Sequence, residues 1–362
     1  MSAIRMADLA ARHLRVAADV ERRVLEVLRS GRYVGGPVVA EAERRLAGVF
    51  GYAHGVGVNS GTDALIYALM AMGIQPGDEV IVPALTFFAT AEAVGRIGAV
   101  PIVADVRDDL PLLDPATLPL TPRTRAVIAV HLFGEPCLLP ALVVPVLDDV
   151  AQAVGASPPA RTPSRDGFGA VGAASFYPTK TLGAAGDGGI VLADDPAITD
   201  AARKLASHGM PAPYVHDRVN GHFGANSRLD AMQAAVLLGH LADLDARLAR
   251  RRAIAAAYDA GLPEGVRPLP RGPGHPVHHY VVRTLHRDAL ATALAAAEIE
   301  TGVYYRRPLS EEPALAGIVA VPTPNAARYC AEALALPVHE CLTDDDVNRV
   351  LDTIGRSQQG RG

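Results

Sequence analysis

Lys180 stands in the string Ser175-Phe-Tyr-Pro-Thr-Lys180-Thr-Leu-Gly-Ala-Ala-Gly-Asp-Gly-Gly189. A β-rich run enters a turn, presents one amine and leaves through four glycines. An amine used as a covalent nucleophile must be partly desolvated and held on a rigid edge. Glycines let the backbone pass close to a bulky ligand. Taken alone, the string is also compatible with a surface lysine beside a flexible loop. A second string, Val146-Leu-Asp-Asp149-Val-Ala-Gln152, places an acid at the end of an apolar run. The C-terminal ends of buried strands are where α/β folds keep ligands. An acid there suits a protonated ring nitrogen, such as the pyridine nitrogen of pyridoxal 5′-phosphate (PLP). The plain alternative for Asp149 is a helix cap or an exposed strand end.

Three more strings complete the set. Asn59-Ser60-Gly61-Thr62-Asp63-Ala64-Leu65 follows the run Gly55–Val58. A strand, a glycine turn and a helix start aim backbone N–H groups and the helix dipole at an anion. Ordinary N-capping explains the same residues. No dinucleotide fingerprint or Walker loop is present, because the third glycine and the GK[ST] triplet are missing. In Pro83-Ala-Leu-Thr86-Phe87-Phe88-Ala-Thr90, an aromatic is available to stack on a ring or to pack a core. Gly224-Ala-Asn226-Ser227-Arg228-Leu229-Asp230 opens a helical pattern. Each signal is modest by itself. Their order along the chain, with phosphate turn, aromatic, strand-end acid, lysine and second polar turn, points to one PLP site.

Elements must hold these residues in place. Candidate strands are Gly55–Val58, Glu79–Val82, Val100–Asp105, Ala126–His131, Val144–Asp149, Ala173–Tyr177 and Gly189–Leu192. Most are short apolar runs bounded by Gly, Pro or Asp, as buried parallel strands are. Helical segments such as Asp63–Met72 and Ala89–Arg96 fall between several of them, which predicts a three-layer α/β domain with a mainly parallel sheet. From Leu229 to about Leu262 the pattern reads as one long helix, with Leu237, Leu241, Leu244 and Leu248 on one stripe. Beyond a Pro/Gly-rich loop, His279–Thr284 reads as a strand, and Arg287–Ala297 and Asp344–Ile354 as helices. The expected division is a PLP-binding large domain over 1–250, with an N-terminal helix, and a smaller α+β domain over 251–362.

With 362 residues, the chain exceeds one typical core. Apolar residues make up 49% and charged residues 20%, with a net charge of −5, so neither a nucleic-acid protein nor a membrane span is indicated. Three cysteines without a CxxC, and no signal-peptide pattern, lead us to expect free thiols and a cytoplasmic protein. His275-Pro-Val-His278-His279 lacks the carboxylate or cysteine partners of a metal site, and no metal is expected.

Taken together, these motifs resemble the DegT/DnrJ/StrS family of sugar aminotransferases, within the fold-type-I PLP enzymes. The likeness runs from Gly31-Arg-Tyr-Val-Gly-Gly-Pro37 to Leu336-Pro-Val-His-Glu340. It implies that Lys180 holds PLP as a Schiff base and shuttles protons, that Asp149 pairs with the pyridinium nitrogen, and that Gln152 contacts the ring hydroxyl. Phe87 would stack on the ring. Ser60, Gly61, Thr62 and Ser175 would hold the phosphate. Asn226 would reach the phosphate of a partner subunit, making the active unit a homodimer. The resemblance also implies L-glutamate as donor and a keto nucleotide sugar as acceptor, with Arg228, Tyr304, Tyr305 and Arg306 as candidate substrate contacts. The Asn226-Ser227-Arg228-Leu229-Asp230 form is similar to members acting on 3-keto sugars, whereas 4-keto members more often carry an aromatic at the position of Ser227. Three departures stand out. Cys137–Val144 is shorter than the helix usually found before the Asp strand, Tyr304 replaces a histidine, and Leu205-Ala-Ser-His208-Gly209 lacks an arginine. The competing readings are a 4-keto aminotransferase, a dehydratase on the same scaffold and a non-catalytic regulatory homologue. Lys180 argues against the last two.

Overall fold

The computed structural model describes residues 3–162, 170–318 and 320–359. Seven strands form one sheet: β1 (His54–Val58), β2 (Glu79–Pro83), β3 (Val100–Ala104), β4 (Thr124–Val130), β5 (Val146–Asp149), β6 (Val171–Ser175) and β7 (Gly189–Ala193). Their spatial order is β1-β7-β6-β5-β4-β2-β3, and only β7 runs antiparallel to its neighbours. All seven expected strands are present, with ends moved by one or two residues. The apolar runs are unbroken because both faces are covered. Ile190 and Leu192 pack under one helix layer, while Val191 and Ala193 pack into the opposite one. Each such aliphatic side chain, fully buried, contributes about 1.5–3 kcal/mol.

Strand direction decides where the site lies. Strands β1, β2, β4, β5 and β6 share one direction, so their C-terminal ends open on one edge of the sheet. β7 starts at that edge. Register brings Val58 and Ser175 to either side of Gly189, and Asp149 between Val130 and Ala173. A Cβ on Gly189 would lie 2.2 Å from the Ser60 carbonyl oxygen, so only glycine lets β7 pass this close to the turn after β1.

The expected long helix is two helices, Ala231–Leu241 and Leu244–Gly261. Between them Asp243 leaves helical geometry, at φ −106° and ψ 3°. Its carboxylate is held there by Arg15 at 2.8 Å and Arg247 at 3.2 Å. The leucine stripe survives the break: Leu237, Leu244 and Leu248 are all buried in one core cluster, with Leu241 packed against it. The second helix spans residue 250, the expected boundary between the domains. A smaller antiparallel sheet follows, of β8 (Arg267–Pro268), β9 (Tyr280–Arg283) and β10 (Ala333–Leu336), in the order β10-β9-β8. Its core contains Leu290, Leu294, Val350 and Ile354, and also Ile4 from the N-terminus. Ile4 pairs with Ile299 as a β-bridge. No α-helix occupies Cys137–Val144, the segment noted as short. Cys137, Cys330 and Cys341 are free. Among the described residues, no helix is long and apolar enough to cross a membrane.

Candidate active site

A cavity of about 670 Å³ opens at the shared edge of the sheet, within the range of small-ligand sites. Ser60, Gly61, Thr62, Phe87, Asp149, Gln152, Ser175, Lys180, Tyr304 and Tyr305 all line it. Residues separated by up to 245 positions in sequence thus share one space.

Asp149 ends β5 and is buried. Its Oδ2 accepts from the Thr90 hydroxyl at 3.3 Å and its Oδ1 from the Ala151 N–H at 3.2 Å. Burial raises its pKa, against the opposing pull of the Ala151 N–H and the Lys180 charge. Burial lowers the pKa of Lys180, and Asp149 opposes that shift. A depressed amine pKa increases the uncharged, nucleophilic fraction at neutral pH.

The turn that carries Lys180 is tied down by two buried side chains, Arg12 and His240. Arg12 donates to the carbonyls of Pro178 at 3.0 Å and Lys180 at 2.9 Å. The Gly183 carbonyl lies 2.8 Å from His240 Nδ1. Arg12 is itself paired with Glu340, as is Arg251 at 3.3 Å. The two guanidinium groups hold the Glu340 carboxyl down at about 2, against the upward push of burial. This scaffold keeps the amine on a rigid edge.

Ser60 caps the helix Gly61–Ala71, its Oγ accepting from the Asp63 N–H at 3.1 Å. The first N–H groups of a helix have no partner within it, and those of Gly61 and Thr62 lie at the cavity. A Cβ on Gly61 would sit 2.6 Å from that of Ser175, so glycine allows the two hydroxyl-bearing turns to meet. Phe87 is 61% exposed, an unusual state for a phenyl ring, and stands 6.4 Å from Tyr305. Gln152 lines the cavity; it accepts from the Phe133 N–H at 2.6 Å through Oε1 and hydrogen-bonds the Tyr305 hydroxyl.

These features fit PLP: an anion cradle, an open aromatic face, a buried acid with unused accepting capacity and a desolvated amine. Asn226, Arg228 and Arg306 do not line this chain's own cavity. All three are exposed, and Arg228 donates to Asn226 Oδ1 at 2.8 Å. Ser227 is buried away from the cavity, accepting from the Asn59 N–H at 3.2 Å. Residues whose place at the site the motifs did not reveal are Thr90, Arg251, His278, His279, Asp187, and Met6 and Ala7 from the N-terminus. The paired histidines were the visible signal, read only for metal. Among the described residues, no group of three or more His, Cys, Asp or Glu side chains could hold a metal ion.

A profile of the DegT/DnrJ/EryC1/StrS aminotransferase family matches residues 15–355. The chain is 41% identical to the dTDP-3-amino-3,4,6-trideoxy-alpha-D-glucose transaminase of Streptomyces venezuelae, over 96% of this chain and 94% of that protein. It is 37% identical to the UDP-N-acetyl-3-dehydro-alpha-D-glucosamine 3-aminotransferase of Acidithiobacillus ferrooxidans, over 99% of both. Among solved structures, S. venezuelae DesV, captured with a ketimine intermediate, superposes with a TM-score of 0.89 at 37% identity, over 99% of both chains. The chain belongs to the DegT/DnrJ/EryC1/StrS aminotransferase family, whose members depend on pyridoxal 5′-phosphate.

Proposed function

We propose that this protein moves the amino group of L-glutamate to the C3 ketone of a nucleotide sugar, in the cytoplasm, as a homodimer. One observation carries the reading: half-buried Lys180 and buried Asp149, of opposite charge, share a cavity with the helix start at Ser60–Thr62.

Bound PLP supplies an electron sink for the carbon that loses or gains nitrogen. The remaining steps fall to the protein. Ser60, Thr62, Ser175 and the N–H groups of the helix start hold the phosphate. Phe87 covers one face of the ring, and Gln152 directs an amide N–H at its hydroxyl. Asp149, whose burial makes its charge costly when unpaired, keeps the ring nitrogen protonated. Lys180 Nζ removes a proton from the α carbon of the donor. In the second half of the cycle it returns one to the sugar carbon that gains nitrogen.

Two relatives support the C3 assignment, because their names specify a 3-amino and a 3-dehydro sugar. Tyr304 and Tyr305 line the space left for the acceptor, and Arg306 is next in the chain. Asn226 and Arg228 lie exposed outside their own cavity, which suits a role at the partner subunit's phosphate and diphosphate. Mixing inactive Lys180→Ala and Asn226→Ala chains tests this. Recovered activity supports composite sites, and a strictly monomeric active protein rules them out.

The assay for regiochemistry runs in reverse, because 3-keto sugars are unstable. Nucleotide sugars aminated at C3 or at C4 are offered with 2-oxoglutarate, and glutamate is measured. Turnover of the C3 amine is expected. Turnover of the C4 amine alone would replace the 3-keto reading with the 4-keto one.

A further inference from the structure

One wall of the cavity consists of aromatic rings that the transamination chemistry leaves idle. The His279 ring stacks on Tyr304 with centroids 4.3 Å apart and planes 27° apart. Phe133 meets it edge-on at 5.9 Å, and the His278 ring lies 4.3 Å away. The imidazole is thus packed against three rings. It is half-buried and lines the cavity beside Tyr304 and Tyr305. Among the described residues, none forms a hydrogen bond with its ring nitrogens. His278 differs: its Nδ1 lies 3.1 Å from the Thr181 hydroxyl. Burial, with Lys180 and Arg251 nearby, pushes the His279 pKa down to about 3, so the ring is neutral at physiological pH.

Charge on this side of the cavity is already committed. The lining cations among the described residues are Lys180 and Arg251. Arg251 is held by Glu340 at 3.3 Å and by the carbonyls of Val277 at 3.1 Å and His278 at 3.3 Å. A sugar carboxylate packed against this wall would lose its hydration and find neither lining cation free, since Arg251 is paired, Lys180 serves the cofactor, and the exposed Arg228 and Arg306 lie outside the cavity lining; that is costly. A neutral imidazole offers one donor and one acceptor, the complement of a hydroxyl, which also does both.

We infer that His279 determines acceptor specificity: with Tyr304 it forms the wall that receives the sugar and hydrogen-bonds an uncharged hydroxyl, so the acceptor is a neutral hexose and not a hexuronate. This rests on the reading of the chain as a sugar aminotransferase. It goes further in assigning the chemical class of the sugar and the residue that reads it.

The test uses the PLP-loaded enzyme in the reverse direction with 2-oxoglutarate. Two nucleotide-linked 3-amino sugars are compared, one bearing a C6 hydroxyl and one a C6 carboxylate. The hydroxyl sugar should show the higher kcat/KM by tenfold or more. His279→Phe keeps a ring against Tyr304 and removes both polar atoms. It should raise KM for the hydroxyl sugar about tenfold, equivalent to about 1.4 kcal/mol, while kcat falls less than threefold. His279→Gln, which restores a donor and an acceptor, should recover most of that loss. A carboxylate sugar that is the better substrate, or an unchanged KM in His279→Phe, overturns the inference and leaves the aminotransferase reading standing. If neither 3-amino sugar reacts and a C4 amine does, the regiochemical reading fails, and this inference falls with it.

Discussion

Asp148 and Asp149 are neighbours on β5 and both are buried, yet they face opposite sides of the sheet and meet opposite conditions. Asp148 is fully satisfied by the protein. It accepts from the Thr162 N–H at 2.9 Å, the Thr162 hydroxyl at 2.7 Å and the Tyr52 hydroxyl at 3.2 Å. His131 Nε2 lies 3.2 Å away and donates, because the Nδ1 of that ring accepts from the Cys137 N–H. Asp149 has two protein donors, both at more than 3.1 Å, and an amine across the cavity. Burial alone therefore does not distinguish a structural acid from a functional one. What distinguishes them is whether the protein has supplied all of the acid's partners or left room for a ligand.

The largest effect that would sharpen this contrast is on rate at the cavity. Lys180→Ala should reduce turnover on the order of 10³-fold or more, since it removes both the covalent anchor and the proton carrier. It should still bind the cofactor noncovalently. Asp149→Asn should follow, with a loss well beyond tenfold in kcat and a smaller change in cofactor affinity. The ion pair strengthens as the ring takes up negative charge, so its value belongs to the transition state. A kcat within about tenfold of wild type, a change of only ~1.4 kcal/mol, would remove Asp149 from that role.

Asp148→Asn breaks the comparison from the other side. In either amide orientation the nitrogen would face one group that can only donate, the Thr162 N–H or the His131 Nε2–H, and a buried satisfied carboxylate would be lost. Stability should fall by about 2–4 kcal/mol, read as a drop of several degrees in Tm, with kcat for the folded fraction nearly unchanged. Equal stability and reduced kcat would show that the two acids act as a unit. The smallest effect expected is that of Thr90→Val, which removes one hydroxyl from Asp149 Oδ2. A three- to tenfold loss of kcat, with Tm within a degree or two of wild type, would place Thr90 as a positioning residue for the acid.

Much of the layout was legible in the chain because each cavity residue sits at a break in a simple pattern. Asp149 ends an apolar run, Ser60 follows one, and Lys180 leaves one through glycines. Such breaks mark strand ends, and in a parallel sheet strand ends gather on one edge. The strand Ala333–Leu336 escaped notice because its sequence, Ala-Leu-Ala-Leu, lacks β-branched residues and continues a helical stretch. The break at Asp243 also escaped notice. It depends on Arg15, 228 positions away, and the leucine stripe runs on across it. His278 and His279 illustrate the limit most clearly. Their spacing suggested a metal question, while their place beside Lys180 depends on how the small sheet docks. Asn226 and Arg228 could not be assigned to a cavity from one chain's periodicity, and they lie outside their own.

Every role assigned to the cavity depends on Lys180, opposite Asp149, carrying the cofactor. Borohydride reduction of the PLP-loaded protein followed by peptide mapping tests it most directly. A pyridoxyl group is expected on the peptide containing Ser175–Lys180 and none on the peptide containing Lys204. A label on Lys204, or no covalent label at all, would contradict it.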